Sequence, residues 1–394
     1  MTNNAIVTKA AQLTEVCAKL DASGRFALDL EFIPERTYSA ELCLIQVATD
    51  HEAWIIDPLA VRDLMPIWER IADPSLLKVL HAADQDLDIM FNESGLVPEN
   101  IMDTQIAAGF IGFGYPIGYG KLLQQLIGIT LAKSESYTDW TNRPLTPSQV
   151  EYAIDDVKHL LAMYDKVVAQ LHERKRFEWV VEECKKYAHK SYYEKDRRND
   201  FFRIKGANTL NRRGLAVLRE LSEWRHDEAY KANRPLKSIL QDGILLEFAR
   251  RPPKEVSDLQ RIRGIRPDQV RQFSGGLLQA IKLGVAVPDD ELPKWPTAKI
   301  PSKRDVLVAD VLYTALRVIC FGEDIAPELV ATRSILEALV RQHNDQVLDE
   351  SKLPVLHGWR RQMAGQAMVN MLDGATMNMN FVNGEHPVKM HITK

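Results

Sequence analysis

The feature that most constrains this fold is a change in the spacing of apolar residues near Asp103. Before it, short β-rich runs alternate with helical patterns, and after it the periodicity is helical almost to the end. The first three runs are joined by turns short enough for antiparallel pairing, which predicts a mixed α/β sheet flanked by helices. We predict strands at 25–32, 42–48, 53–56 and 77–81, and helices at 61–71 and 84–93.

The length of 394 residues predicts two or three domains rather than one core. Thr146, Pro147 and Gln149 form a capping box with proline at the first helical position, so a helix should run from there to about Leu171. The stretch 288–301, which contains four prolines, is predicted to be a linker. The predicted segments are an α/β domain at 1–172, a basic helical linker at 173–207, all-α domains at 208–287 and 302–376, a proline-rich linker at 288–301, and a loosely ordered tail at 377–394.

Membrane and secretory functions are not expected for this chain. No run of apolar residues is long enough to span a bilayer, and the N-terminus lacks a secretory signal. Four scattered cysteines predict reduced thiols rather than disulfides or a zinc site. We therefore expect a cytoplasmic, monomeric protein.

Charge is segregated along the chain. Residues 1–170 carry 12 basic and 24 acidic side chains, whereas residues 171–275 carry 25 basic and 16 acidic ones. An acidic block beside a basic block suits a protein that holds a polyanion with one part and uses carboxylates in another. Ordinary drift of surface charge would produce the same pattern.

Three acidic groups are candidates for a metal site. Asp29 and Glu31 alternate along a predicted strand and therefore share one face. Their mutual repulsion would be relieved by a hard divalent cation, although an edge strand facing solvent is the simpler explanation for this pair taken alone. Asp86 follows a strand-to-helix junction, and Tyr152 and Asp156 are one turn apart on one helix face.

Taken together, these groups resemble motifs I, II and III of the tyrosine-bearing branch of the DEDD exonuclease superfamily. The surrounding segments ALDLEF, VLHAADQDLDIMF, IMDTQIAA and DWTNRPLTPSQVEYAIDDVKHLL are similar to those of ribonuclease D and related nuclear exosome exonucleases. The resemblance covers about residues 20–170. It implies an RNase H-like fold, with Asp29, Glu31, Asp86 and Asp156 as catalytic carboxylates and Tyr152 as the motif III tyrosine.

The resemblance also implies a reaction. Two Mg²⁺ or Mn²⁺ ions would be held by the four carboxylates, and RNA would be hydrolysed from its 3′ end to nucleoside 5′-monophosphates. The expected partners are tRNA precursors and other structured RNAs. A DNA 3′-5′ exonuclease and an inactive RNA-binding module are the alternatives.

The basic helical half is similar to the helicase-and-RNase-D C-terminal (HRDC) domain. LRELSEWRHDEAYKANRP, a Leu-rich helix, a Pro-Pro break and LQRIRG carry the resemblance, while 302–376 resembles a second such domain only weakly and could instead pack against the rest. An HRDC domain implies nucleic-acid binding through phosphate contacts. The candidate residues are Arg203, Lys205, Arg212, Arg213, Arg261, Arg263, Arg266 and Arg271.

Two motifs are set aside. The glycine-rich run 112–121 ends in Gly-Lys but has Tyr115 and Leu122 where a phosphate-binding P-loop needs Gly and Ser or Thr. It is predicted to be a loop between helices. His81, at a strand end, is expected to be a hydrogen-bonded structural residue rather than a catalytic base.

Overall fold

The structure, a computed structural model, describes residues 6–131, 138–194, 196–295, 302–384 and 387–393. It divides into two compact units. One comprises Met1–Glu31, Leu44–His189 and Ile300–Lys394, and the other comprises Phe32–Cys43 and Lys190–Lys299. Residues 296–301 of the predicted linker lie outside the described residues.

The first unit contains a six-stranded mixed sheet in the order β1-β4-β3-β2-β5-β6. β3 pairs antiparallel with β4, and β5 runs parallel to both β2 and β6. The observed bounds of β2, β3, β4 and β5 agree with the predicted ones within about two residues. Strands β1 and β6 were not predicted. The strands are β1 (Ile6–Val7), β2 (Arg25–Ile33), β3 (Glu41–Ala48), β4 (Ala53–Ile56), β5 (Leu77–Leu80) and β6 (Ile101–Asp103).

Strand β3 lies near the middle of this sheet. All but its first residue are buried, so it appears in the sequence as a nearly continuous apolar run rather than as an alternating one. The flanking helices bury apolar side chains such as Leu20, Trp68 and Leu171. These helices are α1 (Ala10–Ser23), α2 (Met65–Ala72), α3 (Asp84–Ser94), α4 (Thr104–Gly109), α5 (Tyr119–Ile127), α6 (Pro147–Lys158), α7 (Leu160–Glu173) and α8 (Phe177–Cys184).

The capping box at Thr146 is present, but the helix that it begins is interrupted. The Thr146 hydroxyl accepts from the Gln149 backbone amide, and the Gln149 side chain accepts from the Thr146 amide. The predicted single helix to Leu171 is wrong at His159, which lies between α6 and α7. There the Tyr119 hydroxyl donates to the Asp155 carbonyl at 3.1 Å and competes with the helix for that acceptor.

The second unit is a helical bundle in which α10 packs against α12 and α14. Leu218, Leu245, Phe248 and Leu277 are fully buried in its core. Asn211 caps α10 by accepting from the Gly214 amide. The α-helices are α9 (Lys190–Tyr193), α10 (Arg212–Ala232), α11 (Leu236–Ile239), α12 (Asp242–Arg250), α13 (Val256–Gln260) and α14 (Pro267–Ala286).

The C-terminal helical region belongs by its contacts to the first unit. Trp359 is buried against Phe110 and stacks on Trp179, with ring centroids 4.8 and 5.4 Å apart. Its neighbour Arg360 forms a bidentate ion pair with Glu183, at 2.5 and 2.6 Å. Packing against the rest of the first unit is therefore the arrangement found. The helices are α15 (Lys303–Gly322), α16 (Pro327–Val330), α17 (Arg333–Asn344), α18 (Gly358–Arg360) and α19 (Gln366–Leu372).

The end of the chain differs from its prediction as a loosely ordered tail. Strands β7 (Thr376–Phe381) and β8 (Val388–Thr393) pair antiparallel in a hairpin. Exposed and half-buried residues alternate along both strands except at Phe381, which is exposed like its neighbour Asn380, so one face of the hairpin packs and the other does not. Methionine and asparagine, which fill this segment, gave no clear strand signal in the sequence.

Candidate active site

Three of the predicted carboxylates lie close together between strand β2 and helix α6. Asp29 and Glu31 extend from β2, and Asp156 comes from α6. One carboxylate oxygen from each of the three lies within 4.8 Å of the others. The period of two along β2 places Asp29 and Glu31 on one face, and the packing of α6 against the sheet brings Asp156 to them.

Asp86 is the fourth member of this acidic group. It lies in the first turn of α3 and is 7% exposed. Burial raises its pKa well above the usual range, and the charges of Asp29, Glu31 and Asp103 raise it further. The structure therefore turns Asp86 toward the other carboxylates.

The neighbouring acids Asp84 and Asp155 have partners of their own. Asp84 is exposed and lies 3.2 Å from the Lys186 ammonium. Asp155 pairs with Lys158, as expected for a residue rotated away from the face that carries Asp156.

Mutual repulsion and burial perturb the whole acidic group. Burial, followed by the Asp156 charge, raises the pKa of Asp29. Burial and the charges of Asp29 and Asp156 raise the pKa of Glu31 from 4.5 to about 9. For Asp156, burial raises the pKa to about 7 against a lowering hydrogen bond from Tyr152.

None of the described lysines or arginines forms an ion pair with Asp29, Glu31, Asp86 or Asp156. A cluster of hard oxygen donors with this excess of negative charge is what Mg²⁺ and Mn²⁺ require, so the donor set fits divalent ions. Such ions would keep the carboxylates ionised at neutral pH.

Two tyrosines border the acidic group. The Tyr152 hydroxyl hydrogen-bonds to Asp156, and burial together with the nearby carboxylates raises its pKa far above neutrality. Tyr119, which the sequence did not single out, is affected in the same way by burial and by Asp156 and Asp29. Its position in the glycine-rich loop region gave no signal in the sequence, because the approach of α5 to α6 is set by tertiary packing.

Asp103, another buried acid beside the site, is occupied by structural hydrogen bonds. It caps α4 through the Gln105 amide and accepts from the amides of Ala82 and Ala83 at 3.0 Å. The Tyr187 hydroxyl also donates to it at 3.0 Å. Asp103 therefore fixes the turn that leads into α3, and so the position of Asp86.

His81 and the glycine-rich run have the structural roles predicted for them. The two ring nitrogens of His81 lie 2.9 Å from the Thr104 hydroxyl and from the Ile117 carbonyl. Helix α4 rather than a strand leads into the run at 112–121, and the last three residues of the run already belong to α5. Neither feature supplies a base or a phosphate loop.

The predicted RNA-binding residues differ in how their charge is used. Arg212 donates to the backbone carbonyls of Asp289 and Leu292, at 3.3 and 2.8 Å. Arg213 donates to the carbonyls of Val285 and Val287 and pairs with Asp289. These contacts give both arginines a structural role in holding the chain that leaves α14, and a contact with RNA phosphates stays a prediction for them.

The other six candidates lie on the surface of the helical unit. Arg203, Arg261 and Arg266 pair with nearby Asp side chains, but their own side chains remain 83, 76 and 61% exposed. Such pairs are weak and are easily exchanged for a phosphate. Lys205, Arg263 and Arg271 are exposed and form no ion pair with any described residue.

Comparisons with known proteins agree with the prediction of a nuclease domain followed by an HRDC domain. A family model described as a 3′-5′ exonuclease matches residues 4–172, and the HRDC domain model matches residues 214–281. Ribonuclease D of Pseudomonas paraeruginosa is 37% identical over 93% of this chain and 96% of that protein. Ribonuclease D of Gluconacetobacter diazotrophicus is 35% identical over 94% of this chain and 93% of its own length.

The solved structures agree. Escherichia coli RNase D, described as an exoribonuclease involved in structured RNA processing, superposes with a TM-score of 0.80 at 30% identity, covering 93% of this chain and 98% of that one. The catalytic core of RRP6 from Trypanosoma brucei shares the fold, with a TM-score of 0.57 at 24% identity over 71% of this chain and 79% of that one. Within the part of the chain that is described, every helix is too short or too polar to cross a bilayer.

Proposed function

Because this chain belongs to the ribonuclease D family and is therefore a 3′-5′ exoribonuclease, we propose that it trims structured RNAs, tRNA precursors among them, by two-metal-ion hydrolysis. The products would be nucleoside 5′-monophosphates. The observation that carries the proposal is the convergence of Asp29, Glu31 and Asp156 within 4.8 Å, with buried Asp86 beside them.

Each carboxylate has a proposed task. Asp29, Glu31 and Asp156 would hold one divalent ion, and Asp29 and Asp86 would hold the other. Ions bound there would supply activation of the attacking water and stabilisation of the leaving 3′ oxygen. The Tyr152 hydroxyl would orient that water, because its raised pKa keeps it protonated and makes it a poor base.

The helical unit would hold the RNA by its phosphates. Lys205, Arg263 and Arg271 are exposed and unpaired among the described residues, and Arg203, Arg261 and Arg266 are only weakly paired. Phosphate contacts give affinity without sequence preference, which suits an enzyme that shortens any sequence. The monomeric state and the cytoplasmic location stay predictions.

The proposal is tested by replacing the carboxylates one at a time. Asp29→Asn and Asp156→Asn should each lower kcat on 3′-labelled RNA by about a hundredfold or more, because each removes a ligand that stabilises developing charge. RNA binding should survive. The matched control is Glu151→Gln, an exposed acid on the same helix as Asp156, which should leave turnover unchanged.

Substrate class and direction are read from the product ladder. A tRNA carrying a 3′ extension should lose one mononucleotide at a time and stop near the mature end. A DNA strand hydrolysed as fast as RNA would favour the DNA exonuclease instead. RNA that binds but is never shortened with Mg²⁺ or Mn²⁺ would favour an inactive binding module.

A further inference from the structure

The loop that precedes α6 is fixed to the sheet by one arginine. The Arg143 guanidinium is bidentate to Asp57, with Nε and Nη2 at 2.6 and 2.9 Å from the two carboxylate oxygens. Asp57 directly follows β4, and its side chain is only 6% exposed. A bidentate pair with a buried carboxylate is a strong and directional contact, so this loop has a defined position on the sheet.

The same guanidinium also fixes the backbone of the loop. Arg143 Nη1 donates to the carbonyls of Trp140 and Asn142, at 2.7 and 2.9 Å. The Gln149 side-chain amide donates to the Thr138 hydroxyl at 2.8 Å and ties the loop to the first turn of α6. The position of Trp140 is therefore set from both ends of the described loop.

Trp140 in turn packs on the tyrosine of the candidate active site. It is 4% exposed, and its ring centroid lies 5.9 Å from that of Tyr152, with a 36° angle between the rings. Tyr152 is half-buried, so its other surroundings leave the ring some freedom. The contact with Trp140 limits that freedom and holds the hydroxyl toward Asp156.

We propose that Asp57, Arg143 and Trp140 are positioning residues for Tyr152, transmitting the rigidity of the sheet to its hydroxyl. The inference rests on the proposed function, in which that hydroxyl orients the attacking water. A misplaced orienting group lowers the rate of the chemical step while leaving RNA affinity nearly unchanged.

The test is a set of double-mutant cycles with Tyr152→Phe. Trp140→Leu and Asp57→Asn should each lower kcat about tenfold with little change in KM, because they misplace the hydroxyl without touching RNA. In the Tyr152→Phe background the same changes should cost less than about twofold, since no hydroxyl is left to position. Trp140→Phe should recover part of the activity, because it keeps an aromatic contact.

The matched control is Arg70→Lys. Arg70 is likewise bidentate to a carboxylate, that of Asp21 at 3.1 and 2.8 Å, and likewise donates to a carbonyl, that of Pro66. It should show no coupling to Tyr152→Phe, whereas Arg143→Lys, which loses the bidentate geometry, should show it. Thermal melting of every variant reports whether a loss of folding contributes.

Two outcomes overturn the proposal and differ from each other. If Trp140→Leu and Asp57→Asn lower kcat equally with and without the Tyr152 hydroxyl, these residues only support the fold. If Tyr152→Phe itself leaves kcat unchanged, the proposed role of the hydroxyl fails as well. The carboxylate replacements remain an independent test of the nuclease chemistry in both cases.

Discussion

The acidic site and the basic helical unit treat charge in opposite ways. Asp29, Glu31 and Asp86 gather with Asp156 where no described cation pairs with them, and burial together with neighbouring negative charges raises their pKa values. In the helical unit, charges such as Arg212 and Arg213 are bound to the protein's own carbonyls. The contrast separates charges that maintain the fold from charges that are left for a ligand. Counting the charged residues of a segment, or noting their sign, does not make that distinction.

Metal removal should have the largest effect on activity, because it acts on the unpaired charges of the acidic site. EDTA should abolish nucleotide release from RNA, a fall of about a thousandfold or more, because the ions supply most of the electrostatic stabilisation. Mg²⁺ or Mn²⁺ should restore it. Isothermal titration calorimetry of the metal-free protein should detect binding of Mg²⁺ or Mn²⁺, with a lower affinity after Asp156→Asn. Activity that survives exhaustive chelation would mean that the carboxylates do not work through metals.

The pH dependence of stability should reveal the unpaired carboxylates. A carboxylate whose pKa is raised by folding binds more protons in the folded state, so stability is lost as pH rises. Glu31, raised from 4.5 to about 9, and Asp156, raised from 3.8 to about 7, place that loss between about pH 4 and pH 9. Melting curves in EDTA should show it, and added Mg²⁺ should offset it most at high pH.

Asp29→Asn sharpens this prediction. Removing one buried charge should raise the melting temperature of the metal-free protein at pH 8, by about 2–4 °C for each kcal/mol of repulsion relieved. The same variant should be inactive and should gain less from Mg²⁺ than the unchanged protein does. A lower melting temperature in EDTA would show that the acidic group is not under repulsion.

Arg213→Gln tests the opposite use of charge. It removes contacts to two carbonyls and to Asp289, and should cost about 1–3 kcal/mol of stability. The salt dependence of RNA binding should stay as it was. Denaturant unfolding measures the stability, and a salt titration of RNA binding measures the slope. A changed slope at full stability would show that Arg213 contacts RNA phosphates rather than serving the fold alone.

The smallest effects are expected at the exposed cations. Lys205→Gln, Arg263→Gln and Arg271→Gln should each lower the slope of log affinity against log salt by about 0.7, the value for one contact to a single strand. Stability should not change. Lys282→Gln, an exposed lysine of the same unit, is the comparison that separates a local contact from general charge loss.

The sequence predicted the local parts of this molecule better than the tertiary ones. The face shared by Asp29 and Glu31 and the cap at Thr146 follow from period and capping chemistry, and both are present. The break at His159 was missed because its cause, the Tyr119 hydroxyl on the Asp155 carbonyl, comes from a distant segment. The structural contacts of Arg213 were missed for the same reason, since its carbonyl partners lie more than 70 residues away.

The seating of Trp359 against Phe110 and Trp179 has a consequence for biosynthesis. The segment that covers these two aromatic rings leaves the ribosome long after them, since Trp359 follows Trp179 by 180 positions in the sequence. During that part of translation the two rings lack the cover that Trp359 provides in the folded protein. A nascent chain stalled before Ser302 should accordingly be more sensitive to protease near Phe110 than one released after Leu372.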